Sequence, residues 1–82
     1  MHDTIRALLT QSGRLTTEAS TLPVDADLYT AGLTSHGSVT LMLAIEEAFD
    51  VEFPDRMLTR EVFSSIGAIA AAVAELQAVA AA

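Results

Sequence analysis

Asp27-Leu28-Tyr29-Thr30-Ala31-Gly32-Leu33-Thr34-Ser35-His36 is the stretch from which the rest of the chain can be ordered. Gly32 permits a tight backbone turn. Thr34 or Ser35 can then cap a helix, because from Ser35 to Phe49 apolar residues return at helical spacing. Val39, Met42, Ile45 and Phe49 fall along one line, with Leu41, Leu43 and Ala48 beside it. A serine at the start of such a helix is exposed. It lies near unpaired backbone N–H groups and the positive end of the helix dipole, so an anion attached to it is tolerated.

Upstream, Asp3 or Thr4 is expected to cap a first helix bearing Ile5, Leu8 and Leu9, which Gly13 ends. The segment from Arg14 to Thr34 lacks helical periodicity. It reads as a long loop pinned to the core by Leu15, Leu22, Val24 and Leu28, and loops of that length tend to be functional. Downstream, the helix stops near Asp50, and Phe53-Pro54 marks an extended stretch. Thr59 is predicted to cap a short turn through Phe63. Ser64 or Ser65 then caps a last helix carrying Ile66, Ile69, Val73 and Leu76. The expected fold is all-α, a small four-helix bundle of three main helices plus one short one.

Composition agrees. The chain has 82 residues, 51% hydrophobic but only 5% aromatic, and no cysteine. Disulfides, Cys-ligated zinc and thiolate catalysis are therefore excluded, and the fold rests on aliphatic packing around Phe49, Phe53 and Phe63. Eleven acids face four arginines, a net charge of -7, which disfavours nucleic acid and anionic membrane surfaces and favours basic protein partners, unless the acidity serves only solubility. No signal peptide begins the sequence, and Glu75 and Gln77 interrupt the Ala-rich end, so the expectation is a cytoplasmic monomer with no membrane role.

Residues 27–36, with Glu46-Glu47-Ala48-Phe49 after them, resemble the acyl and peptidyl carrier proteins, whose hallmark is D-L-x-x-x-G-L-D-S-L running into a helix that ends in an E-E-x-F-like stretch. Val51-Glu52-Phe53-Pro54 is similar to the I-x-I-P/D segment of that family, and Val62-Phe63-Ser64-Ser65-Ile66 to the start of its last helix. The resemblance spans roughly residues 5–76. It implies one carrier domain over 1–82, with its core at about 3–78, of acyl-carrier-protein-like fold. It also implies that Ser35 receives a 4'-phosphopantetheine arm from a phosphopantetheinyl transferase, the arm's thiol holding a cargo as a thioester. Such a protein is a shuttle and not an enzyme. Thr34 and His36 depart from the family's D-S-L.

Other readings stand beside this one. Ser35 or Thr34 alone could be an ordinary cap. A Ser-His hydrolase is opposed by geometry: successive helical residues point roughly 100° apart, and no third group or elbow is present. His2 and His36 do not form a metal set, so no metal is expected. His36 is expected to touch a partner or the arm, and Leu33 to anchor the loop or line the exit of the arm. The partner surface is predicted on the second helix, with Leu33, Thr34 and His36 at its mouth, Val39 and Leu43 along an exposed strip, and Glu46 and Glu47 at its far end. The alternative places Val39 and Leu43 in the core.

The T-S-H version of the motif, together with Phe49-Asp50-Val51-Glu52-Phe53-Pro54-Asp55, resembles stand-alone carriers charged with amino acids by truncated synthetase-like ligases. That resemblance implies an amino acid:carrier protein ligase and a downstream acceptor enzyme as partners. A specialised fatty acid or polyketide carrier, or an adaptor that never receives the arm, are the alternatives.

Overall fold

Of this chain, the computed structural model describes residues 1–13 and 21–81. α1 (His2–Leu8) widens into a π-helical turn (Leu9–Gly13), α2 spans Ser35–Phe49, a 3-10 turn covers Asp55–Met57, and α3 runs over Ile66–Ala81. No strand occurs among the described residues. The three main helices and one short one are thus present, the short helical piece being Asp55–Met57. The 59–63 segment is the short turn that was expected, capped by Thr59, whose Oγ1 accepts from the Val62 N–H at 3.4 Å.

The first helix starts earlier than expected. Met1 is its cap residue, and the Met1 carbonyl accepts from Ile5 N at 3.1 Å, so Asp3 falls inside the first turn and caps nothing. Its charge there still favours the positive end of the helix. Ile5 and Leu9, one turn apart, are fully buried against Leu28, Leu41, Ile45, Ile66, Ile69 and Val73.

α2 is rotated relative to the expected line. Its buried positions are Gly37, Leu41 and Ile45, whereas Met42 and Phe49 are half-buried and Val39 lies outside. The cause is its neighbour: α2 packs against α1 and the Leu9–Gly13 turn, and that contact puts the 37–41–45 row innermost. The helix ends at Asp50, in the left-handed region at φ 52°, with the Asp50 and Val51 N–H groups both donating to the Glu46 carbonyl. Ser65 caps α3, its Oγ accepting from Ala68 N at 3.0 Å. Phe53 and Phe63 meet with ring centroids 5.4 Å apart, tilted by 56°, and close the core at the α2–α3 connection.

Backbone, more than apolar side chains, fixes residues 21–34. Val24 is 39% exposed and does not pin the loop through its side chain as expected. Its carbonyl does so instead, accepting from Gly67 N at 2.8 Å, while Leu28 N donates to the Ser64 carbonyl at 2.8 Å. A β-carbon on Gly67 would stand 3.2 Å from that same Val24 carbonyl oxygen, so the glycine lets α3 approach the loop. Leu28 is buried as expected, Leu22 partly so, and Leu15 falls outside the described residues.

Asp50 is the one described non-glycine residue at positive φ. Replacing it by Gly removes both the β-carbon penalty and an acid from the negative end of α2, against some gain in unfolded-state freedom. Asp50→Gly should raise stability by about 0.5–1 kcal/mol, read as a higher urea midpoint at unchanged slope.

Candidate functional site

Two local devices place Ser35. Asp27 first turns the chain: its carboxylate accepts the Tyr29 N–H and the Thr30 hydroxyl, each at 3.0 Å. The Thr30 hydroxyl, then the Tyr29 N–H, hold that carboxyl below the usual carboxylate range, with a smaller pull from Arg60. Leu33 N then donates to the Leu28 carbonyl at 2.9 Å across Gly32, whose φ of 114° excludes other residues without strain. Leu33 is 4% exposed and part of the core. It anchors the loop; the expectation that it also meets partners is corrected by that burial.

Thr34, extended at φ -93° and ψ 167°, is the cap of α2. Its Oγ1 accepts from Gly37 N at 2.9 Å, and its carbonyl from Ser38 N at 2.8 Å. Ser35 is thereby relieved of capping. It is exposed at the first position of the helix, and its hydroxyl makes no hydrogen bond among the described residues.

Two clefts lie at the start of α2, one of them lined by Ser35. That one, a groove of about 320 Å³, is lined by Tyr29, Ser35, Ser38, Val39, Met42, Leu58, Thr59, Arg60 and Phe63. A second cleft of similar volume, about 320 Å³, lies between the Leu9–Gly13 turn and the start of α2, with Gln11, Ser12, Thr34, His36, Gly37 and Thr40 around it. His36 is exposed there. Val39 and Leu43 stand on the outer surface of α2 at 53% and 56% exposure, so neither belongs to the core. Glu47 is exposed beyond them. Glu46 is half-buried, and its Oε2 accepts from Phe53 N at 2.8 Å, which gives it a role in closing α2. The far acidic end of the predicted strip therefore reduces to Glu47.

Sequence patterning did not bring Tyr29, Arg60 and Phe63 to this site. They reach it from the loop and from the α2–α3 connection, and no periodicity links segments so far apart in the chain.

A sequence model of the family described as "Phosphopantetheine attachment site" matches residues 3–73. This chain belongs to that family. A curated aminoacyl carrier protein from Agrobacterium fabrum is 56% identical over 69 residues, 84% of this chain and 83% of the relative. Among solved structures, a chain in the complex of an engineered Bradyrhizobium japonicum glycine:[carrier protein] ligase with a carrier protein from Agrobacterium tumefaciens and AMP superposes with a TM-score of 0.87. It is 54% identical, over 90% of this chain and 99% of that one. A chain in the complex of a Bradyrhizobium japonicum glycine:[carrier protein] ligase with glycylated carrier protein gives a TM-score of 0.70 at 30% identity, over 87% and 95% of the two chains.

The family attaches 4'-phosphopantetheine covalently, and Ser35 fits that group on three observations. Its hydroxyl is exposed and unengaged, the preceding residue already caps the helix, and Ser35 sits at the N-terminal end of α2, where helix N–H groups and the dipole favour an anion. The arm supplies the thiol; the chain supplies its position.

The separation of cap from attachment site is measurable. Thr34→Ala should cost about 1 kcal/mol, with Thr34→Ser near neutral, whereas Ser35→Ala should stay within about 0.5 kcal/mol of wild type in urea unfolding.

Proposed function

We propose that this chain is an aminoacyl carrier protein, a single cytoplasmic carrier domain that shuttles cargo and catalyses nothing itself. A phosphopantetheinyl transferase arms Ser35, an ATP-dependent amino acid:carrier protein ligase charges the thiol, and a downstream enzyme accepts the amino acid. The observation that carries this reading is the likeness, over nearly the whole chain and at 54% identity, to a carrier protein in complex with a glycine:[carrier protein] ligase.

Physical features of the chain support it. Where general lipid enzymes meet acids along the start of α2, this chain has Thr34, Gly37 and Thr40, so its docking surface is the apolar pair Val39 and Leu43 with exposed Glu47 and Asp50 toward the far end. An aminoacyl group also gains nothing from an apolar core and would have to shed water to enter it. The groove beside Ser35 is open to solvent, suited to an arm lying along it with its polar end in solvent.

Incubation with coenzyme A and a broad-specificity transferase should add one arm to the wild type and none to Ser35→Ala, by intact mass. The armed protein should then accept glycine or another small amino acid from ATP and a glycine:[carrier protein] ligase. Efficient loading and elongation by general fatty acid synthase enzymes, with no charging by any amino acid ligase, would overturn the aminoacyl reading in favour of an acyl carrier.

Val39 and Leu43 form the contact for the charging enzyme. Val39→Ala combined with Leu43→Ala should slow charging roughly tenfold, about 1.4 kcal/mol of lost interface. Each single change should cost well under the roughly 2–5 kcal/mol of a buried aliphatic truncation, measured by thermal unfolding of the same samples.

A further inference from the structure

Cations are scarce in this chain, and their placement singles one out. It has four arginines, at 6, 14, 56 and 60, against eleven acids. Arg6 reaches the Leu22 carbonyl, and Arg56 pairs with Glu75 at 3.5 Å, the one ion pair among the described residues. Arg14 lies outside those residues. Arg60 instead lines the groove onto which Ser35 opens, together with Tyr29, Val39, Met42 and Phe63.

Tyr29 holds Arg60 in place. The guanidinium carbon sits 4.0 Å from the centre of the Tyr29 ring. A guanidinium held over a ring by its central carbon keeps N–H donors available for a forked contact with an oxyanion. The neighbouring acid does not consume them. Both Asp27 oxygens already accept hydrogen bonds, from the Tyr29 N–H and the Thr30 hydroxyl, and no ion pair joins Asp27 to Arg60. A planar cation thus waits on an aromatic platform, in the same groove as a serine destined to carry a phosphodiester. That group bears one negative charge on paired oxygens, the geometry that arginine recognises best.

We infer that Arg60, presented by Tyr29, is a positioning residue that pairs with the phosphodiester on Ser35 and lays the arm along the groove when no partner enzyme is bound. The inference rests on Ser35 being the attachment point. A partner then has to break this contact to draw the arm out, so resting and engaged carriers differ by a single exposed ion pair, one that screening weakens readily.

The test uses the armed protein, with one arm confirmed by intact mass, and reads the phosphorus resonance by NMR. In the wild type the resonance should move as salt rises from about 0.01 M to about 1 M, over which the screening length falls from about 30 Å to about 3 Å. In Arg60→Gln the low-salt resonance should already sit near the wild type's high-salt position, and most of the salt-dependent displacement should be lost. Tyr29→Leu, which keeps the cation but removes its platform, should lose part of it, in protein whose amide spectrum shows the fold retained. Identical phosphorus shifts and salt responses in wild type and Arg60→Gln overturn the inference. A chain that gains no arm at all contradicts the attachment reading, not the role of Arg60.

Discussion

The thirteen residues from Leu22 to Thr34 belong to no helix or strand, yet they run against the core, and buried peptide groups without partners are costly. Everything at the site follows from how that constraint is met. The Val24 carbonyl takes the Gly67 N–H, Leu28 gives its N–H to Ser64, Leu33 returns to Leu28, and the Leu22 carbonyl takes the Arg6 guanidinium. The loop is thereby stitched to α1 at one end and to the start of α3 at the other, with Leu28 and Leu33 as its buried anchors. Ser35 is fixed relative to three helices although it stands at the end of only one.

Much of this was legible in the sequence, where local chemistry is strong. Gly32 was expected at a turn and has positive φ, Asp50 and Ser65 end and begin the helices they were assigned, and the serine at the mouth of α2 is exposed. Patterns that depend on a neighbour's position were not. The rotation of α2 that buries Leu41 and exposes Val39 is set by the Leu9–Gly13 turn, and a helix apolar over more than half its circumference does not reveal which row faces inward. Val24 was misread for a similar reason. An apolar residue in a loop suggests a side-chain anchor, but here the main chain does the anchoring, and nothing in a residue's identity announces that its carbonyl will be used. Glu46 shows the same limit, since its place beside Glu47 suggests a surface pair, and only the return of the chain at Phe53 turns it inward to close the helix.

Division of labour between Thr34 and Ser35 explains a departure from the pattern of related carriers. The position before the attachment serine is commonly an aspartate in the motif this chain resembles, and an aspartate caps a helix about as well as a threonine does. The two differ once the serine carries a phosphodiester. A carboxylate beside that phosphate adds like-charge repulsion and offers partners a second anion to read. Thr34 keeps the cap, its Oγ1 accepting from Gly37 N, and adds no second anion beside the attachment serine. With Gly37 and Thr40 also uncharged, the proposed partner surface on this face would rest on shape and on the exposed apolar pair Val39 and Leu43, not on a basic patch tuned to a row of acids. On that proposal the chain's strong overall acidity would act at long range, steering basic partners, while selection among them would fall to the apolar contact.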